Sequence, residues 1–316
     1  MTTLLRAPTR DYRSPVMDSR RWDGFRPREG DIVVATYPKC GTTWTQRIVD
    51  MLIHQSTDPR PIMTDYPWLD ATFFAPIDEV LARLEAQTHR RAIKSHLPFD
   101  SLPLYDDVKY VHVARDGRDA CISMHNHQLG FTDAAKQRIN AANGLPPDFR
   151  PPPTPADPRE FYLQWIAEAE APDAAPYQDL SFFDYEMTYW RERTRPNLLL
   201  VHYNDLKADL PGKMRRISDF LEIATPEDKL AELAAAAGFE AMKRQGAGIL
   251  PELGEFFDRG HDRFLNKGVN GRWRDILGEA DLARYAALAR QRLSASAAAW
   301  IENGRLAAGE PRTAPD

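Results

Sequence analysis

The chain has only two cysteines, Cys40 and Cys121, in 316 residues. They are too few and too far apart for a disulfide framework or a zinc site, so a reducing, cytoplasmic setting is expected. No run of about 18 apolar residues occurs, and residues 1–30 carry arginines and acids without an apolar core of signal-peptide length. Stable membrane insertion is therefore not expected. Excess positive charge is missing too: 41 Lys and Arg against 46 Asp and Glu leave a formal charge of −5. That balance gives no overall basic field for nucleic acid and disfavours a polyanionic substrate such as a sulfated glycan. Basic residues must act locally. The nucleotide loop Gly-x4-Gly-Lys-[Ser/Thr] is absent, as are a metal-spaced Asp/His cluster, an internal repeat and a linker that would divide two cores. With 43% hydrophobic and 28% charged residues, the composition is globular, and the length is within range for one α/β domain.

The stretch that organises the chain begins at Asp31. Residues 31–36 are rich in β-branched and apolar types and read as a buried strand, and residues 45–52 continue with helical spacing. Between them lie Tyr37, Pro38, Lys39, Cys40, Gly41, Thr42, Thr43 and Trp44. Pro38 has no amide, Gly41 allows close backbone approach, and the threonines open a helix whose unpaired amides and positive dipole end face the turn. Such a turn binds phosphate, and Lys39 adds a mobile charge. A cysteine at a helix start can also be a reactive thiolate. Six residues separate Cys40 from Arg47, one more than a phosphatase Cys-x5-Arg signature needs, so Cys40 is read as a spacer.

Strands at 91–94 and 108–114 and helices at 77–87 and 120–128 follow, and strands separated by helices point to a parallel sheet with right-handed crossovers. Ligands then gather at the strands' carboxyl ends, where Lys39, His96 and Arg115 all fall. Residues 130–180 change character, with many prolines including Pro146 and Pro147; this is a lid over the site or an interrupted helix pair. Helices are expected at 182–193, 213–221 and 226–237, a strand at 197–203 and one last helix at 279–303. Residues 1–30 read as an irregular lead-in, with residues 20–25 packing ahead of the first strand, or, over 1–15, as a disordered tail, and residues 310–316 as a loose tail.

Tyr37-Pro38-Lys39-Cys40-Gly41-Thr42-Thr43-Trp44 resembles the 5′-phosphosulfate loop of the cytosolic-type sulfotransferases, which use 3′-phosphoadenosine 5′-phosphosulfate (PAPS). Lys94-Ser95-His96-Leu97-Pro98 is similar to that family's Lys-Thr-His-Leu-Pro segment, which implies His96 as general base. Arg115 and Ser123 have the spacing of its 3′-phosphate segment, and a guanidinium at a strand end can grip phosphate through two donors. Asn266, Lys267, Gly268, Gly271 and Trp273 resemble Arg-Lys-Gly-x-x-Gly-x-Trp, with Asn266 where arginine is typical. That departure implies weaker cofactor binding or a compensating arginine nearby. Trp44, Phe239 and Tyr203 resemble aromatics around the adenine, and each can equally be a core residue.

The resemblance implies an α/β, P-loop-like three-layer fold with a central parallel sheet, in a single domain over 31–309. It implies PAPS as co-substrate, no metal, and a small hydroxyl acceptor. The implied roles are Lys39 on the bridging oxygen, Lys94 on the sulfuryl oxygens, and Ser123 also restraining Lys39 until the acceptor arrives. Arg118 is expected to face solvent, and His112, His125, His127 and His202 to be core or helix-lining residues. Trp68, Phe73, Phe74, Phe99, Phe131, Phe182 and Phe183 are candidates for an apolar acceptor wall, suiting a phenol, an alcohol or a glycolipid. Two alternatives stay open: a P-loop kinase, although its glycine-lysine-threonine order is missing, and a non-catalytic nucleotide-binding module. Residues 274–279 do not reproduce a dimerisation motif common in the family, so a monomer or homodimer is expected.

Overall fold

The computed structural model describes residues 2–146, 148–171 and 180–316; Pro147 and the 172–179 part of the expected 130–180 insertion lie outside the described residues. Its strands are β1 (Leu4–Arg6), β2 (Ile32–Ala35), β3 (Ala92–Ser95), β4 (Leu104–Tyr105), β5 (Lys109–Ala114) and β6 (Leu198–His202). β2, β3, β5 and β6 form a parallel sheet in the order β3-β2-β5-β6, with Val33 beside Ile93 and Tyr110, and Val113 beside Val201. These strands are nearly continuous apolar runs because both faces are covered. Ile32 and Val34 join a layer containing Ile48, Val49 and Leu52 of α1 (Thr42–His54), with Met214, Ile217, Leu230 and Leu233. Val33 and Ala35 face the opposite layer of Tyr162, Ile166, Phe182, Tyr185, Tyr189 and Trp300. The period-2 alternation of a strand thus builds two cores, and the molecule has the expected three layers.

β2, the first strand of this sheet in sequence, lies between β3 and β5, so connections leave it toward both sides and open a crevice at its carboxyl end. β3 starts one residue later than expected. Arg91, placed just before it, is buried and donates from Nε to Asp31 Oδ1 at 2.9 Å, which ties the starts of β2 and β3.

Three expectations change. The last helix is two, Glu279–Arg292 and Ala295–Asn303, because Leu293 is extended and the Ser294 hydroxyl caps the second helix by accepting from the Ala297 amide. The tail is not loose: Pro311 is buried, Arg193 Nε donates to its carbonyl at 3.0 Å, and Glu310 binds Arg216 and Arg305. The lead-in is not a free tail either, since β1 pairs with β4 and Tyr12, Met17, Trp22 and Phe25 are buried. Trp22 and Phe25 lie in the 20–25 stretch expected to pack, whereas Tyr12 and Met17 lie too irregularly along the chain to show a period. The described part of 130–180 holds the helices Asp133–Ala142 and Pro158–Glu170, the interrupted pair, with Pro158 in the first turn where a missing amide costs nothing.

Candidate active site

The turn after β2 folds as its residue types require. Lys39 has φ 70° and Gly41 φ 111°, and α1 starts at Thr42 without a side-chain cap, so its first amides stay available. Only glycine fits at 41. A Cβ there would also stand 2.9 Å from Tyr203 Cδ2. Thr42, Thr43 and Trp44 line a cavity of about 750 Å³ with Lys39 and Gly41. Cys40 does not. Its side chain is wholly buried in the core, burial pushes its thiol well up, and its amide donates to the Tyr37 carbonyl at 3.3 Å. The Cys40 side chain therefore takes no part in the cavity, as a spacer would not: the kink at Lys39 turns it inward, and its amide closes the turn.

At the end of β3, His96 Nδ1 lies 2.7 Å from the Thr36 carbonyl oxygen. A carbonyl only accepts, so Nδ1 carries the proton and Nε2 keeps its lone pair. Burial, then Lys94 and Lys39, hold His96 well below its ordinary value, so the ring is neutral. The His96 amide donates to Asp70 Oδ2 at 3.1 Å, and Asp70 also accepts from Trp68 Nε1 at 2.6 Å and Trp22 Nε1 at 3.3 Å. Lys94 Nζ sits 4.2 Å from the Trp68 ring centroid and is brought down to about 8 by burial, with Asp70 opposing. Lys39 falls to about 7, through burial and then the charges of Lys94 and Arg115.

Lys39 is not held by Ser123. Its Nζ is 3.2 Å from His127 Nδ1 and 4.3 Å from the Phe264 ring centroid. Ser123 and His127 stand one helical turn apart on Gly117–Leu129, both lining the cavity, and the longer imidazole reaches the ammonium. His127 is thus a site residue that its pattern as a plain helix position concealed.

The other end of the cavity is cationic. Arg115 donates to Asn270 Oδ1 at 2.6 Å and to the Lys39 carbonyl at 3.1 Å, and its guanidinium lies 4.3 Å from the Tyr203 ring centroid. Ser123, Asn266, Lys267, Gly268 and Arg272 line the same cavity. Lys207 Nζ donates to the Gly268 carbonyl at 2.7 Å. Arg272 and Lys207 are both pulled below their ordinary values, by burial and then by the Arg115 charge. The Arg272 guanidinium meets no hydrogen-bond or ion-pair partner among the described residues. Cations that repel one another in a half-buried crevice fit a phosphate dianion. Gly268 has φ 62°, and a Cβ there would stand 2.5 Å from Phe239 Cδ2, so the glycine lies flat against that ring. Phe239 and Tyr203 line the cavity, Trp44 meets Tyr203 edge-on at 5.4 Å, and Trp44 Nε1 donates to the Ala237 carbonyl.

Arg118 does not face solvent. It binds Asp116 through two nitrogens and lies between Trp273 and Tyr285, at 4.2 and 4.6 Å from their ring centroids. His112 and His202 are satisfied core residues, held by Glu186 and the Ala35 carbonyl and by the Ile301 carbonyl. Of the aromatics expected around an acceptor, Trp68, Phe73, Phe74, Phe131 and Phe182 line the cavity. Phe99 and Phe183 instead pack in the core, on Tyr110 and Tyr285. Phe256, Phe257, Phe264 and Trp165 complete the wall from segments whose spacing carried no signal.

Residues 29–297 match the sulfotransferase domain family. The chain is 35% identical over 312 residues to a glycolipid sulfotransferase of Mycobacterium bovis (strain BCG / Pasteur 1173P2), covering 93% of this chain and 94% of that one. It is 26% identical over 282 residues to sulfotransferase 1B1 of Mus musculus, covering 87% and 86%. In fold it is like retinol dehydratase in complex with androsterone and the inactive cofactor PAP, with a TM-score of 0.65 at 23% identity over 88% of this chain and 87% of that one. With a match that spans most of its length, the chain belongs to the sulfotransferase family and is an enzyme of that class.

Proposed function

We propose that the chain moves a sulfuryl group from PAPS to a hydroxyl of a small, largely apolar acceptor of the phenol, alcohol or glycolipid kind, leaving adenosine 3′,5′-bisphosphate. The observation that carries this reading is the His96 ring: proton fixed on Nδ1 by the Thr36 carbonyl, neutral, and set on the cavity wall with Lys39 and Lys94. PAPS supplies an activated sulfuryl group on a phosphate leaving group. His96 Nε2 takes the acceptor's proton as the new oxygen–sulfur bond forms. Lys39 neutralises the electron pair left on the bridging oxygen, and Lys94 steadies the sulfuryl oxygens. The first amides of α1, with Thr42 and Thr43, hold the 5′-phosphate.

Arg115, Ser123 and Lys267, with the Gly268 amide, hold the 3′-phosphate, and Arg272 supplies the cation that Asn266 does not. Trp44, Tyr203 and Phe239 hold the adenine. The aromatic wall and the size of the cavity suit an acceptor with a substantial apolar part, and the name of the Mycobacterium bovis relative favours a glycolipid. A single catalytic domain over 31–309, working in the cytoplasm, belongs to the same reading. No helix among the described residues is long and apolar enough to cross a membrane.

The test is His96→Ala, assayed with radiolabelled PAPS and an acceptor panel, beside calorimetric titration with the bisphosphate. Transfer should fall by about 10²–10⁴-fold while bisphosphate affinity is kept. Loss of both together, or of neither, would remove His96 from the role of base.

A further inference from the structure

The acceptor half of the cavity is lined mainly by rings, yet it holds two imidazoles, His96 and His127. His127 stands among Phe131, Phe257 and Phe264, with ring centroids at 5.0, 4.7 and 5.7 Å. A ring this enclosed would be better served by phenylalanine unless its nitrogens were used. One nitrogen is used. Nδ1 faces Lys39 Nζ at 3.2 Å, across 88 positions of sequence. Burial and the charges of Lys39 and Lys94 keep the imidazole neutral, and an ammonium has donors only, so toward protonated Lys39 Nδ1 accepts and Lys39 donates. Lys39 therefore points toward the acceptor's space, with its ammonium also over Phe264.

We propose that His127 is a specificity-determining residue of the acceptor end: a second hydroxyl on the acceptor replaces Lys39 as the donor to Nδ1 and frees Lys39 to move to the turn. The exchange balances, one donor for another on the same lone pair, and no proton changes owner. It selects a polyhydroxylated head on an apolar body, such as a sugar on an alkyl chain, over a lone phenolic hydroxyl. This inference rests on the transfer reading above and narrows its acceptor class.

The test compares octyl glucoside with naphthol, using radiolabelled PAPS, in the unmutated enzyme, His127→Phe and His127→Asn. Phenylalanine keeps the ring packing and removes the acceptor nitrogen, whereas asparagine keeps an accepting oxygen. The ratio of kcat/KM for octyl glucoside to that for naphthol should fall about tenfold in His127→Phe, the loss expected for one hydrogen bond, and recover in part in His127→Asn. Release of sulfate to water without acceptor should rise in His127→Phe, because Lys39 is no longer held back. A bisphosphate-induced rise in Tm shows that each variant folds.

An unchanged ratio, equal losses on both acceptors, or an unmutated enzyme that sulfates naphthol but not octyl glucoside would overturn the assignment of His127. No transfer to either acceptor by an unmutated enzyme that still binds the bisphosphate would overturn the transfer reading itself.

Discussion

Lys39 and Lys94 are brought to about 7 and about 8 by burial, so near neutral pH and without an anion beside them Lys39 is close to half-protonated and Lys94 begins to lose its proton. An anion at the turn favours the protonated forms, which fixes the sign: bisphosphate binding takes up protons, and affinity falls as pH rises through 7 and 8. Below that window both lysines are already charged, and neutral His96 adds no further dependence. Calorimetry in two buffers of different ionisation enthalpy reads the uptake, and Lys39→Met should shrink it. The second charge question concerns Arg272. Arg272→Gln should weaken the 3′,5′-bisphosphate by about tenfold or more, the loss of a charge-assisted contact, with little change for adenosine 5′-monophosphate. Adding Asn266→Arg in the same chain should restore the affinity, since it returns a cation beside Lys267. If the added arginine changes nothing, the two positions do not share a phosphate.

Elements decide how close these side chains come. Lys39 and Arg115 follow β2 and β5, and Lys94–His96 run off the end of β3, so a parallel sheet brings them to one edge whatever lies between them in sequence. That arrangement was legible because each strand is a short apolar run that ends in a polar turn. Helix ends were less so. The residues 279–303 kept a helical pattern through Leu293, and only the cap shows the break: Ser294 accepts from the Ala297 amide while Leu293 is extended. Ser294→Ala should cost about 1 kcal/mol, measured by urea denaturation, the usual loss for a helix cap. A negligible cost would mean that Leu293 and its neighbours set the break by packing alone.

At the scale of the molecule, the segments without regular structure are part of the core. Trp22 is 3% exposed and donates to Asp70, the carboxylate that also receives the His96 amide and the Trp68 indole. The lead-in therefore supports the loop that carries His96. Trp22→Ala should cost about 3–5 kcal/mol in denaturation, as for a large aromatic removed from a packed interior. A value near zero would mean that the 20–25 segment adds nothing to the packing expected of it. The aromatic cavity wall is also a property of the whole: Trp68, Phe131, Trp165, Phe182 and Phe257 come from five separate segments.

The sequence by itself determined the strand–turn–helix around Lys39, the residues at the strand ends and the layering of the fold. These depend on local chemistry: a period of 2 or 3.6, a glycine that tolerates positive φ, and unpaired amides at a helix start. Tertiary structure alone decided that His127 meets Lys39, that Arg272 faces the cavity beside Arg115, that Cys40 turns into the core, and that Arg118 is clamped between two rings. Those outcomes depend on which distant segments share a few ångströms of space, and packing sets that through volume and charge without leaving a spacing along the chain.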